Sequence, residues 1–190
     1  MQNFVTQPNG FTSYSGWDVG GVKSGEETSY PYLELQGYPD MRDIDLDKIG
    51  DTEYISFLKY RAENSSQVLY NSGIADFRSD IKGFIKDEQF IFRIKYATAT
   101  ENENGHPNNI TYIQSIIPKV RIGEYVLESG EYSIKDTYFD SQGATVKNVD
   151  NYVEVILKCS KSVPYSELIE KRLGLFLSFP VNTNYYIEDV

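Results

Sequence analysis

The chain has 190 residues and a formal net charge of −10, from 28 acidic and 18 basic side chains with a single histidine. A polyanion such as DNA would be repelled over most of that surface, and no basic cluster offsets it, so nucleic acid is set aside as a partner. The 16 tyrosines and 10 phenylalanines favour sheets over helices, and the one cysteine, Cys159, excludes an intrachain disulfide and a cysteine zinc site.

In chain order, MQNFVTQPNG carries neither a basic n-region nor an apolar h-region, so it does not read as a secretory signal. No run approaches the ~18 apolar residues of a membrane span. Gln2 to Gly25 is rich in Gly, Ser, Asn and Thr, with Phe4, Phe11, Tyr14 and Trp17 among them, and reads as loop with one or two short strands. YPYLEL (Tyr30 to Leu35) carries Pro31, which suits a strand start or an edge. A strong strand is expected over Thr52 to Ala62, and a short one over Gln67 to Asn71 after an ENSS turn. Ile74 to Phe84 reads as a short helix ended by Gly83.

Glu88 to Ala99 alternates most clearly. Phe90, Phe92, Ile94 and Tyr96 form one face; Ile91, Arg93 and Lys95 form the other, which the two cations mark as solvent-facing. ENENGHPNN is a turn cluster, and Pro118 divides the next stretch into a strand on each side. EYVLESGEYSIKD predicts a hairpin around Ser129-Gly130. Tyr152 to Cys159 is a strand with Val153, Val155, Leu157 and Cys159 inward. Pro164 to Leu173 has the start and stop signals of a helix of two or three turns. Gly174 to Val181 and YYIEDV (Tyr185 to Val190) complete the strands; in the last, Tyr185, Ile187 and Asp189 face one way and Tyr186, Glu188 and Val190 the other.

About ten short strands separated by turns describe an all-β sandwich or barrel. At this length the expectation is a single domain over 1–190. Three stretches then carry a resemblance. NGFTSYSGWDVGG (Asn9 to Gly21) resembles the opening of galactose-binding-like jelly rolls, the fold of many carbohydrate-binding modules. YYIEDV resembles their closing strand, and FIKDEQFIFRIKYAT (Phe84 to Thr98) their central one, with Asp87 and Glu88 where Lys-Gly is usual. The resemblance implies a two-sheet antiparallel jelly-roll β-sandwich with one or two short helices, its first and last strands neighbours in one sheet. It also implies a module cut from a longer chain.

YPYLEL (Tyr30 to Leu35) together with NSGIADFRSDIKGFIKDEQFIFRIKYAT (Asn71 to Thr98) carries a second, looser resemblance, to modules of tailed-bacteriophage virion proteins, such as tail and head fibres. These are acidic, rich in Tyr and Asn, and poor in cysteine, as this chain is. It implies a non-catalytic structural or adhesive part of a virion appendage, whose partners are other virion proteins, further copies of itself, or host surface glycan. The alternative is a carbohydrate-binding module of a secreted bacterial polysaccharide-degrading enzyme; a depolymerase of unusual design is a third reading.

The candidate residues follow from these readings. Galactose-binding-like modules often hold a structural calcium between opening loop and closing strand, which implies Asn9 and Asp189 as ligands; Thr12 and Ser13 stand where the usual Glu would be. The bland reading of Asp189 is a hydrogen-bonded strand residue. DIDLDKIGD (Asp43 to Asp51) lacks the Gly and terminal Glu of an EF-hand loop and reads as a solvated acidic loop. Aromatic faces stack on pyranose rings, so Tyr14, Tyr30, Tyr32 and Tyr38, clustered in the first forty residues, are the candidate glycan platform, with Trp17 read as capping the core. No enzyme is expected. Any triad would have to be built on His106, the only histidine, and Cys159 lies mid-strand, pointing inward, the inert kind of cysteine.

Overall fold

The computed structural model describes residues 5, 16–20, 32–39, 54–73, 83–103, 107–128, 131–147 and 150–190. The strands in chain order are β1 (Trp17–Gly20), β2 (Tyr32–Pro39), β3 (Tyr54–Arg61), β4 (Val68–Asn71), β5 (Gly83–Phe84), β6 (Gln89–Glu101) and β7 (Pro107–Tyr112). They continue with β8 (Lys119–Glu128), β9 (Glu131–Lys147), β10 (Tyr152–Cys159), β11 (Val163–Pro164), β12 (Leu173–Ser178) and β13 (Tyr185–Asp189). The one helix described is α1 (Tyr165–Leu168). Every described strand pair is antiparallel. The all-β class expected from the sequence is therefore what the chain adopts.

The main sheet has eleven strands. Its path runs β1-β4-β12-β8-β9-β10-β6-β13-β3-β2, with β7 also on β6; β5 and β11 make a separate two-stranded ribbon. β6 is the hinge of this path. Its residues 89–94 pair with β10, whereas residues 95–97 pair with β13 on the opposite edge. At Ala97 both Tyr186 of β13 and Tyr112 of β7 are partners, so β7 takes over the edge that β10 leaves. β6 thus belongs to two halves of one curled sheet. The main core draws on both: Leu58, Tyr60, Tyr185 and Ile187 from one half, Leu69, Val120, Val155 and Leu175 from the other.

The long strands bend at irregularities. β8 and β9 change register between Ile122 and Gly123 and again between Glu124 and Tyr125, and β9 and β10 change register between Ile156 and Leu157. An extra residue on one strand raises the local twist, which lets a sheet of this width wrap a core instead of lying flat. Turns use the expected chemistry. Asp87, Asp150, Asn151 and Asn182 have positive φ in turns, and Asn109 has it within β7 where the β6–β7 register shifts; short polar side chains tolerate it. Gly83 has φ +131°, and a Cβ there would lie 2.5 Å from the Val163 carbonyl oxygen, so the β5–β11 ribbon requires glycine at that point.

β10 alternates as expected, with Val153, Val155, Leu157 and Cys159 buried. β8 and β9 form the expected hairpin, Glu128 opposite Glu131. β7 and β8 flank the Pro118 break. Other expectations need correction. The helix from Pro164 is a single turn: Pro164 supplies no side-chain cap, and the sheet claims the following residues. Tyr125 N–H donates to the Arg172 carbonyl at 3.0 Å, and Leu173 already pairs with Glu124. Gly83 and Phe84, read as the end of a helix, are β5; the rest of that stretch lies outside the described residues.

The final strand is paired on both edges, but its neighbours are β3 and β6, not the first strand as the resemblance implied; β1 lies at the far end of the path against β4. Its faces also differ beyond Ile187. A register shift between Ile187 and Asp189 returns Val190 to the core face that holds Tyr185 and Ile187. Tyr186 faces the other way, in a second cluster with Phe57 and Ala97. A third cluster, Val68, Tyr70, Tyr125 and Phe176, lies outside the main core. Both halves therefore bury apolar side chains on each face, more than a sheet solvated on one side would.

Ile187 is fully buried where β3, β13 and β6 meet. Ile187→Ala is expected to destabilise the fold by about 2 to 5 kcal/mol in urea unfolding, while Lys135→Ala on an exposed position of β9 should stay within about 0.5 kcal/mol.

Candidate functional site

The handover on β6 creates a fork. β10 pairs up to Ile94, β7 begins at Ala97, and Lys95 and Tyr96 sit between them. Ile113 N–H donates to the Tyr96 carbonyl at 2.9 Å, which ties the chain leaving β7 to this point. On the opposite edge of β6 the β13 irregularity falls at the same level, with Asp189 opposite Lys95. Bulges of this kind re-aim side chains beside functional sites.

Four strands bring polar and aromatic groups to the fork. Lys95 Nζ lies 3.3 Å from both carboxylate oxygens of Glu188. The Tyr112 hydroxyl donates to Glu188 Oε2, and the Tyr152 hydroxyl donates to Asp189 Oδ2. Lys95 Nζ also stands 4.9 Å from the Tyr112 ring centre and 5.9 Å from that of Tyr152. Arg93 lays its guanidinium 4.4 Å over the Tyr152 ring and pairs with Glu154 at 3.4 Å. The fork is thus a chain of contacts running from Glu154 through Arg93, Tyr152 and Lys95 to Glu188 and Tyr112.

Burial decides what these contacts are worth. Side-chain exposure is 12% at Lys95 and 17% at Glu188, against 49% at Arg93. The inner pair is shielded from salt and solvent, and removing one partner would strand a charge; in the outer pair Glu154 is also shielded, but its half-exposed partner Arg93 lets solvent weaken the bond. Tyr152 keeps its proton well above the ordinary phenol value, first because burial disfavours the phenolate, then because Asp189 accepts its hydrogen bond. A parallel arrangement lies further along β6 and β13, with β3 as its third strand. Lys59 pairs with Glu101, which also accepts from the Tyr186 hydroxyl at 2.7 Å. The Lys59 bond, then the Tyr186 bond, hold the Glu101 carboxyl below the usual carboxylate range.

Of the sequence candidates, Asp189 is the one the structure brings to the fork, where its carboxylate accepts from Tyr152. Asn9, Tyr14 and Tyr30 lie outside the described residues, as does His106. Tyr32 and Tyr38 lie in β2, opposite Arg61 and Ile55. Trp17 is buried in the main core. Cys159 is buried, its thiol donates to the Lys161 carbonyl at 3.1 Å, and burial pushes its pKa up, the setting of an unreactive cysteine. Among the described residues no three His, Cys, Asp or Glu side chains gather as a metal site would need.

Lys95, Tyr112, Tyr152 and Glu188 were not singled out in the sequence. Alternation placed Lys95 on a solvent face, and it gave no sign that β7, β10 and β13 converge there. The one signal was a Lys on the outer face of β6 and a Glu on the outer face of the last strand, opposite charges that could meet if those strands paired.

Two outcomes test the fork. Lys95→Met is expected to lower stability by about 1 to 3 kcal/mol, and adding Glu188→Gln to recover part of the loss, in a double-mutant cycle read by urea unfolding. Tyr152 holds its proton in the folded chain where the unfolded chain, with a pKa of about 10, has lost it. Its contribution is therefore complete below about pH 10 and falls as the pH rises beyond that. The stability gap between wild type and Tyr152→Phe should be constant from about pH 6 to 9 and shrink above about pH 10. The chain matches no protein-family model, no curated protein and no solved structure.

Proposed function

We propose that the chain is a non-catalytic structural or adhesive module of a bacteriophage virion appendage, built as a jelly-roll-like β-sandwich and acting through its surface. The observation that carries this reading is that the acid and base groups of the fork are bonded to one another. Glu188 is held by Lys95 and Tyr112, and Asp189 by Tyr152. General acid–base catalysis needs a group free to move a proton to a substrate at working pH, and the proton on Tyr152 is held too tightly for that. Such a network fixes a surface rather than reacting at it.

The surface that it fixes suits contact with another macromolecule. On the outer face of β6, Ile91 is 66% exposed and stands next but one to Arg93. An exposed apolar side chain beside an arginine and a tyrosine is the composition of protein–protein contacts. Virion appendages are built from symmetric copies, so a second copy or a neighbouring virion protein is the partner expected there. Host glycan is the other partner this class of module takes. One observation bears on the sugar-binding alternative: Arg93 covers one face of the Tyr152 ring, leaving at most the other for a sugar.

Light scattering is expected to give the mass of a closed oligomer, reduced to monomer by Ile91→Glu without loss of folding. A monomer at every concentration that nonetheless binds a glycan array saturably would favour the carbohydrate-binding module of a secreted enzyme. A monomer that binds no glycan would defeat both, as would turnover of a polysaccharide that Glu188→Gln abolishes.

A further inference from the structure

Residues directly opposite on paired strands share a face of the sheet, so the registers of β6, β10 and β9 define rows across their outer face. In one row Ile91 of β6 is opposite Ile156 of β10, and Ile156 is opposite Gly143 of β9. Ile91 is 66% exposed, Ile156 is partly exposed and Gly143 is exposed. An ion pair lies on each side of this uncharged row. Toward the fork, Arg93 of β6 pairs with Glu154 of β10 at 3.4 Å. Away from it, Asp87, in the turn before β6, pairs with Lys158 of β10 at 2.9 Å. Glu154, Ile156 and Lys158 are alternate residues of one regular strand, so the two charges of β10 stand at equal steps, about 7 Å, from Ile156. The two pairs have opposite polarity: the cation is on the β6 side in the first and on the β10 side in the second.

Among the described residues nothing requires glycine at position 143. Its φ lies outside the left-handed region, a Cβ there would meet nothing within 4 Å, and the adjoining bulge takes Gln142 as its extra residue. Glycine inside a strand weakens it, and one of its uses there is to let another backbone come close.

We propose that this face pairs with itself, two copies of the chain meeting across a two-fold axis that runs along the row Ile91, Ile156, Gly143. The inference rests on the reading that the chain acts through contact with further copies, and gives that contact its symmetry and its centre. In a two-fold contact a residue on the axis meets its own copy, so a charge there would meet its like, whereas an apolar side chain or a glycine is compatible with itself. All three positions of the row meet that condition. A residue off the axis meets what stands on the other side of the row. Glu154 therefore faces the partner's Lys158, and Arg93 faces the partner's Asp87, each contact occurring twice and each joining opposite charges. A two-fold axis along the strands would instead set Glu154 on the partner's Glu154 and Lys158 on the partner's Lys158, which repel.

Two variants alter one side of the pattern at a time. Arg93→Glu/Glu154→Lys keeps an ion pair within the chain with its polarity turned. Asp87→Asn/Lys158→Glu changes the other side, with asparagine suited to the positive φ of Asp87. Sedimentation velocity is expected to give a dimer for wild type and a monomer for either variant alone, because like charges then face each other. An equimolar mixture of the two variants is expected to give a heterodimer, because opposite charges meet again. Gly143→Val is expected to fold and to sediment as a monomer, and it decides the matter if a charge variant does not fold. The pairing is overturned by a charge variant or Gly143→Val that dimerises like wild type, or by a mixture that stays monomeric. A wild-type trimer, or a dimer that only Ile91→Glu breaks, overturns this pairing and leaves the self-contact reading standing. A wild-type monomer at every concentration removes both.

Discussion

The backbone ladder along β6 is the constraint on which the rest depends. A buried strand must have its N–H and C=O groups paired along its whole length, and this one is thirteen residues long. No single neighbour follows it that far. β10 serves its first half, β7 and β13 its second, and the change falls at Lys95 and Tyr96. Because the ladder changes partners without breaking, two halves of a sheet share one continuous interior. Because the new partner does not start where the old one stops, a gap opens in which side chains from four strands meet.

That gap explains the electrostatics. A lysine on a strand whose outer face would otherwise be solvated is here walled by β7 and β13, and an acid and two phenols close around it. Shielding makes the inner pair matter to stability, whereas Arg93, two residues back toward the open sheet, is half exposed, and water weakens its bond to the shielded Glu154. The same geometry grades the fork from a rigid interior to an accessible outer surface. A binding surface needs that gradient, since groups held in place lose little entropy on meeting a partner.

How much of this the sequence disclosed depended on how local the cause was. β10 was legible residue by residue, because strict alternation over eight positions admits one orientation. Both strands of the β8–β9 hairpin and the break at Pro118 were legible from turn chemistry. The helix after Pro164 was overestimated, because end signals describe what a segment would do alone, and pairing to β8 overrode them. In the last strand, alternation held to Ile187 and failed at Val190, because a bulge depends on the partner strand and leaves no mark in the periodicity. Lys95 failed for a related reason: which strands flank a residue is set by pairings some ninety residues away in sequence, as with Glu188. Asp189 was named for a different purpose and reached the fork through Tyr152, a partner no spacing rule would have supplied.

The placement of β13 has a consequence for how the molecule comes into being. β3 and β6 are both made before β13, and neither has a neighbour on the edge they will share until residues 185–189 arrive to lie between them. Until that strand emerges, one half of the sheet therefore exists as two separate pieces with open hydrogen-bonding edges, the state in which nascent strands most readily find the wrong partner. Joining them late, over such a distance along the chain, makes for slow assembly. The strand that completes the sheet thus also ends the interval in which a chaperone would have something to hold.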